Sequence, residues 1–272
     1  MYEIEMLEIH ASHACNLTCD SCAHFSNSGH RGITSTEEAD KWMGLWSKRI
    51  NPSIFAILGG EPLLNPDIEN FIRIARKHWK REVHLVTNGL LLHKFPTLPK
   101  TLEQENIFLR VTKHHDSPEY EEKWKEVLPL LKNINHVVND SSKRWSYRYK
   151  GWGPNVFPYE DNNPDKSWDN CYCKFCRQLL GGKIYKCSTI AYLQIQKQRW
   201  PEISDKWDRY LAYKPLEATA TDEEVVKFFS KKSEDICNMC PASAEFFKKE
   251  NPLITIGELK KNATVIQKMP NM

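Results

Sequence analysis

Nine cysteines in 272 residues are the groups in this sequence most able to carry chemistry, and their spacing divides them into two sets. Cys15, Cys19 and Cys22 fall within CNLTCDSC, at the spacing C-x3-C-x2-C. Cys171, Cys173, Cys176 and Cys187 begin the second set, and Cys237 and Cys240 close it as a C-x2-C pair. Thiolates are soft ligands that select iron–sulfur clusters or zinc. A structural zinc site takes four protein ligands. Three closely spaced cysteines suit instead a cubane cluster with one iron left open to a substrate or cofactor.

The elements that must hold the first set are legible from periodicity. Ile4 to Ile9 (IEMLEI) is short, apolar and partly alternating, and reads as a strand. The cysteines then lie just past its carboxyl end, where α/β sheets and barrels place their chemistry. A second strand, Ile54 to Leu58, runs straight into Gly59-Gly60-Glu61-Pro62. A third, Val83 to Val86, ends in Thr87-Asn88-Gly89, and a fourth, Ile107 to Thr112, leads into Lys113-His114-His115. Ile134 to Val138 is the fifth. Helices are expected between them. Ser35-Thr36-Glu37-Glu38 is a capping box opening a helix with Trp42, Leu45, Trp46 and Ile50 on one face. Asn65-Pro66-Asp67 starts another, with Ile68, Phe71, Ile72 and Ala75 inward. Ser117-Pro118 starts a third, striped by Tyr120, Trp124, Val127, Leu128 and Leu131. Such strand–helix alternation means an α/β fold with a parallel sheet. Periodicity alone fits a doubly wound sheet as well as an open barrel.

The three-cysteine loop followed by a strand and GGEP resembles the signature of the radical S-adenosylmethionine (SAM) enzymes. That resemblance implies a partial (β/α)6 TIM-like barrel, with Cys15, Cys19 and Cys22 binding a [4Fe-4S] cluster whose open iron takes SAM. It implies that Gly59, Gly60, Glu61 and Pro62 hold the SAM methionyl amino group: the glycines for close backbone approach, Glu61 for its carboxylate. Thr87, Asn88 and Thr112, at later strand ends, are expected near the cofactor. The residue before the third cysteine is often aromatic or apolar in that family and helps place the adenine; here it is Ser21, and Phe25 is the nearby ring that could stand in.

The second cysteine set resembles the twitch domain, a shortened SPASM domain carrying one auxiliary iron–sulfur cluster. RQLLGGKIYK reads as a hairpin about Gly181-Gly182, with Cys187 on its far strand. Thr221-Asp222-Glu223-Glu224 caps a helix bearing Val225, Val226, Phe228 and Phe229, whose end delivers Cys237 and Cys240. By analogy with twitch enzymes of the 2-deoxy-scyllo-inosamine dehydrogenase type, the second [4Fe-4S] ligands are Cys171, Cys187, Cys237 and Cys240. Cys173 and Cys176 are then spare, or one of them replaces Cys171. A zinc ribbon on the same cysteines is the alternative that residue types leave open. The organisation expected is a core barrel over 1–143, an aromatic-rich bridge over 144–168 completing it, a twitch-like unit over 169–250 and a tail over 251–272. The bridge is too rich in tryptophan and tyrosine for a disordered linker, and its aromatics are read first as packing and second as a substrate wall.

Composition narrows the function classes. A formal charge of +3 is too balanced to imply a nucleic-acid or membrane partner. Arg and Lys residues over 73–81 read as a solvated helix face. No basic segment opens the chain as a secretory signal does, and no apolar run reaches membrane-spanning length. The cysteines therefore point to a cytoplasmic, reducing setting and to ligation rather than disulfides. Histidines 13, 24, 30, 114 and 115 gather near predicted strand ends, and His114 or His115 is the candidate base. Together these imply that reductive SAM cleavage gives a 5′-deoxyadenosyl radical that abstracts hydrogen from a substrate. A short chain with no peptide-recognition segment ahead of Met1 favours a sugar, aminocyclitol or related small polar molecule, oxidised with the auxiliary cluster as acceptor. The partners expected are that substrate and a reductase or flavodoxin-type electron donor. The alternatives are modification of a ribosomally made peptide, or a non-catalytic iron–sulfur redox protein, which would have no use for GGEP beside an open cluster.

Overall fold

The structure, a computed structural model, describes residues 1–244 and 246–247. Its architecture follows from β1 (Tyr2–Ser12), in which apolar Leu7, Ile9 and Ala11 alternate with polar Glu8, His10 and Ser12. All six are buried, so the strand is covered on both faces. Parallel pairing on either side explains this. β2 (Ile50–Gly59) lies on one edge, with Ile9 opposite Ile57, and β7 (Cys176–Leu180) on the other, with Glu8 opposite Gln178.

The full sheet runs β5-β4-β3-β2-β1-β7-β8, where β3 is Glu82–Thr87, β4 is Phe108–Lys113, β5 is His136–Asp140 and β8 is Lys183–Tyr185. Six of the seven strands are parallel and β8 returns antiparallel along β7. The fold is thus mixed α/β with a mostly parallel sheet, as the partial-barrel expectation requires. The hairpin at Gly181-Gly182 forms, yet its first strand is the sixth parallel strand of the main sheet. The expected boundary at 168/169 therefore separates β7 from a sheet it completes. Segment 144–168 supplies instead the short β6 (Trp145–Ser146), paired with β9 (Phe246–Phe247), and the helix α5 (Pro164–Asp169). Its Tyr149 and Trp168 are buried, in keeping with packing. The tail at 251–272 lies outside the described residues.

The crossover helices begin where their caps predict. α1 (Thr36–Trp46) opens on a reciprocal Ser35–Glu38 capping box, and buries Ala39, Met43 and Trp46, while Leu45 is exposed. Ile50 belongs to β2 rather than to that helix. α2 (Ile68–His78) buries the four residues expected of it. Arg76 is no solvated side chain: its guanidinium donates to the carbonyls of Trp79, Arg81, Glu105 and Asn106, clamping the lower loops. α3 (Leu98–Gln104) was not legible in the sequence, since Pro99 and polar Lys100 and Thr101 mask a single turn and a half of apolar face. α4 (Pro118–Leu130) buries Tyr120, Trp124 and Val127, and leaves Leu128 exposed. α6 (Ser188–Arg199), α7 (Asp208–Leu211) and the turn before α7 pack Tyr192, Leu193, Tyr210 and Trp207 into a second core with Phe25 and Tyr149. α8 (Asp222–Ser230) carries the expected Thr221–Glu224 capping box. Among the described residues no helix is long and apolar enough to cross a membrane.

Candidate functional site

The three-cysteine loop is pressed between the upper ends of β1, β2 and β3. The Gly60 N–H donates to the Ser12 carbonyl at 2.9 Å and the Glu61 N–H to that of Ala14 at 2.8 Å, so GGEP is laced to the chain leading into Cys15. A Cβ on Gly59 would stand 2.2 Å from the Ser12 oxygen, and one on Gly60 would stand 2.3 Å from the Ala14 oxygen and 2.8 Å from Cys15 Cβ. The glycines therefore serve the close approach of β2 to the cysteine loop, a different reason from the ligand approach expected of them.

Glu61 differs from expectation in the same direction. It is fully buried. Its carboxylate accepts from Thr87 Oγ1 at 2.6 Å, from the Asn88 N–H at 2.8 Å and from the Leu63 N–H at 3.0 Å. Burial pushes its pKa up to about 7 against those three hydrogen bonds. The side chain ties the end of β2 to the end of β3, and Pro62 follows it, buried, into a tight turn. Asn88 then reaches forward, Nδ2 donating to Asn16 Oδ1 at 2.7 Å inside the cysteine loop. Thr87, Asn88, Glu61, Gly60 and Cys15 thus form one connected junction. Thr112 stands half-buried on β4, opposite Asn139.

Phe25 does not face that junction. It is wholly buried, stacked on Tyr149 at 4.7 Å between ring centroids and edge-on to Trp207. Its ring is committed to the second core, so the stand-in role expected at the adenine is not where the fold puts it. Ser21, φ 51, has a use of its own: its Oγ accepts the Arg148 N–H at 2.6 Å, fastening the cysteine loop to the chain after β6.

Donor chemistry suits a cluster in the first loop. None of the nine cysteines forms a disulfide. Cys15 Sγ accepts the Leu17 N–H at 3.4 Å, while burial, Cys19 and Glu61 push its thiol well up. A thiolate there needs a cation against it, which iron provides. Among the described residues no three His, Cys, Asp or Glu side chains converge as a single-ion cage would require. A cubane instead takes each thiolate at its own corner iron, so its ligands need only surround a shared volume.

His114 Nδ1 lies 3.6 Å from Cys19 Sγ, against the loop itself. His115 is buried, its Nδ1 accepting the Ser117 N–H at 2.9 Å, with Nε2 unpartnered. The sequence reading missed His10. His10 Nε2 lies 2.6 Å from His24 Nδ1, and His10 Nδ1 lies 3.1 Å from His13 Nδ1. The His10 ring stacks on Tyr192 at 3.6 Å, Tyr192 donates to Gln178 Oε1 at 3.0 Å, and Gln178 Nε2 donates to Glu8. Burial lowers the pKa of His24 to about 4 and that of His10 well below its usual value, so both are neutral donors and acceptors. Glu8 is pushed by burial up to about 7. The inner face of β1 is a polar ladder, and the alternation in LEIHAS was its signal.

The second set assembles from three distant segments. Cys171 and Cys173 follow α5, Cys187 caps the start of α6 rather than lying on β8, and Cys237 lies within a tight turn over Asp235–Met239 that Cys240 ends. Burial first, then Cys171, Cys187 and Cys237, push the Cys240 thiol well up. Burial, with Cys171, Cys237 and Cys173, takes Cys187 to about 12. These four sulfurs and Cys173 therefore share one locality. Cys176 sits at the sheet side of the same locality: its thiol hydrogen-bonds the Cys173 sulfur and Glu8, and its Sγ lies 4.0 Å from Met6 Sδ, opposite it on β1.

Comparison with known proteins bears on the part of the chain that carries the first of these sites. Residues 9–140 match the sequence profile of the radical SAM superfamily. The 7,8-dihydro-6-hydroxymethylpterin dimethyltransferase of Methanocaldococcus jannaschii is 29% identical over 133 residues, 47% of this chain and 26% of that protein. The GTP 3',8-cyclase of Aquifex aeolicus is 29% identical over 94 residues, 33% of this chain and 29% of that one. The chain thus matches only about a quarter to a third of the length of these curated relatives. Among solved structures, BtrN in complex with AdoMet and 2-DOIA is 16% identical at TM-score 0.45, over 76% of this chain and 85% of that one. Native anSMEcpe with bound AdoMet and Cp18Cys peptide is 15% identical at TM-score 0.49, over 97% and 99%. The assignment does not rest on those structures. The matched family implies SAM and a [4Fe-4S] cluster, and the matched residues contain the cysteine loop, GGEP and the Thr87–Asn88 strand end. Residues 9–140 are a radical SAM superfamily domain.

Proposed function

We propose that Cys15, Cys19 and Cys22 bind a [4Fe-4S] cluster whose open iron takes SAM, and that the chain uses the pair to oxidise a small polar molecule. The observation that carries this reading is the junction in which Glu61, Thr87 and Asn88 lock GGEP against the cysteine loop. When bound, the reduced cluster and SAM supply hydrogen-atom abstraction from an unactivated C–H bond. The protein's own residues position and shield. Gly59 and Gly60 let β2 close on the loop, Glu61 and Pro62 hold the backbone turn that faces the SAM amino end, and Thr87, Asn88 and Thr112 line the adjoining strand ends. Glu61 acts here as a positioning residue through Thr87 and Asn88.

The polar inner face of β1, with Glu8, His10 and Gln178, supports a polar substrate over an apolar one. The relatives' own names point the same way for those proteins, a hydroxymethylpterin in one and GTP in the other. A net oxidation takes from the substrate one hydrogen atom, one electron and one proton. Cys171, Cys187, Cys237 and Cys240 would hold a second cluster able to accept that electron, and His114, beside the first cysteine loop, is the residue we name as base for the proton. An external reductase or flavodoxin-type donor supplies the first reduction. Converting Cys15, Cys19 and Cys22 together to alanine should remove about four irons per chain and abolish 5′-deoxyadenosine formation under a strong reductant. SAM cleavage that survives in the triple variant would overturn the reading. A metabolite-pool screen for SAM-dependent consumption then identifies the substrate class.

A further inference from the structure

We propose that Arg148 is the counter-cation of the second cysteine set, fastened in place by the first cysteine loop, and that it raises the reduction potential of a cluster bound there. The inference rests on the reading of that set as a cluster site. Arg148 is 6% exposed. Its Nη1 lies 3.8 Å from Cys171 Sγ, its Nη2 lies 3.8 Å from Cys173 Sγ, and its guanidinium carbon sits 3.9 Å above the Tyr172 ring. Among the described residues no carboxylate pairs with it, and sulfur atoms are the side-chain acceptors it meets.

A guanidinium does not shed its proton in a protein. Burying a charge without a counter-charge is costly, and a neutral thiol is a weak acceptor. The compensating charge at this position has to come from thiolate sulfur. Two other buried cations stand nearby and are served differently. Lys186 Nζ meets Glu234 Oε1 at 2.8 Å and the Lys231 carbonyl at 2.7 Å, and Arg177 donates to the Lys186 carbonyl at 3.0 Å. Arg148 alone of the three turns its side-chain donors to sulfur.

The other end of the residue belongs to the first site. The Arg148 N–H donates to Ser21 Oγ at 2.6 Å, and Ser21 lies between Cys19 and Cys22. One residue therefore spans both cysteine sets, its main chain on one and its charge on the other. Positive charge and N–H donors on ligand sulfur stabilise the electron-rich, reduced form of a cluster and so raise its potential. That is the direction an electron acceptor needs.

The test uses the full chain carrying Cys15, Cys19 and Cys22→Ala, reconstituted anaerobically with iron and sulfide and titrated by EPR. R148Q removes the charge and R148K keeps it. R148Q should disfavour the reduced cluster at least tenfold, a fall of about 59 mV for one electron, while R148K stays within about twofold of the parent. An assembled cluster with an unchanged potential in R148Q overturns the proposal and leaves the cluster reading standing. A parent that takes up no iron and sulfide sinks the cluster reading itself. Cluster lost in R148Q but kept in R148K supports the charge requirement. Cluster lost in both, with native circular dichroism, makes the guanidinium's shape the requirement and overturns the charge argument.

Discussion

The two cysteine sets are built by opposite means. The first packs three cysteines into one loop and has its geometry imposed from outside, by two strand ends that close on it. The second draws its members from three segments and is held by what surrounds it: buried cations, the start of α6 and the turn after α8. A local set can be recognised from spacing because the spacing is the site. A dispersed set cannot, because its defining contacts, such as Arg148 with Cys171 and Cys173, join residues 23 and 25 positions apart.

The largest expected effect tests the first half of that contrast. Gly60→Ala puts a methyl group 2.3 Å from the Ala14 oxygen, a main-chain atom with no free end to swing away. It should cost about 1–3 kcal/mol of stability and displace the cysteine loop, with SAM affinity falling at least tenfold in a binding titration. An alanine variant with unchanged affinity and melting temperature would mean that the loop is not held by β2.

A smaller effect separates the members of the second set. In the background lacking Cys15, Cys19 and Cys22, Cys171→Ala should perturb a cubane-type spectrum and lower iron well below about four per chain, whereas Cys173→Ala should retain it. A cluster that survives loss of Cys171 and not of Cys173 would exchange their roles, since Arg148 faces both sulfurs. Cys176→Ala should leave iron content unchanged, because the four ligands proposed for the second cluster do not include it, even though its thiol hydrogen-bonds Cys173.

These contrasts show what the sequence could and could not reveal. Alternation in the strands and the capping boxes at Ser35 and Thr221 are written in neighbouring residues, so the strands, α1, α2, α4 and α8 could be read directly. Glu61 could not be placed that way. Its type predicted a ligand for an ammonium group, and the structure adds what spacing could not show: Thr87 and Asn88, 26 and 27 residues on, fix its two oxygens. Phe25 was misplaced for a similar reason: its partners Tyr149 and Trp207 come from far along the chain. The hairpin was legible as a hairpin, but nothing local says that Cys176–Leu180 pairs with β1. His10 was legible and overlooked, its polarity hidden within a strand read only for its apolar residues.

The last effect, seen only as a pH dependence, concerns the polar ladder on β1. Glu8 has its pKa raised from 4.5 to about 7 by burial, with the Gln178 hydrogen bond opposing. Its folded value lies above its unfolded one, so its contribution to stability is full below about pH 4.5 and is lost as pH rises through about 7. Glu8→Gln removes that dependence. Denaturant unfolding should show the wild type losing up to about 3 kcal/mol relative to the variant between pH 5 and pH 8. Parallel pH profiles for the two proteins would show that Glu8 keeps its charge by some other means.

β1 also sets an order of events in synthesis. It comes early in the chain, yet one neighbour is β2 and the other, β7, begins at Cys176. Sheets that wait on distant partners form slowly and expose apolar surface meanwhile, here the Leu7, Ile9 and Ala11 face. Completion of the cysteine sets follows the same schedule. A nascent chain reaching Asn88 holds every residue of the junction around Cys15, whereas the second set is incomplete until Cys240 has been made. The two cysteine sets are thus completed one after the other, the first junction some 150 residues ahead of its counterpart.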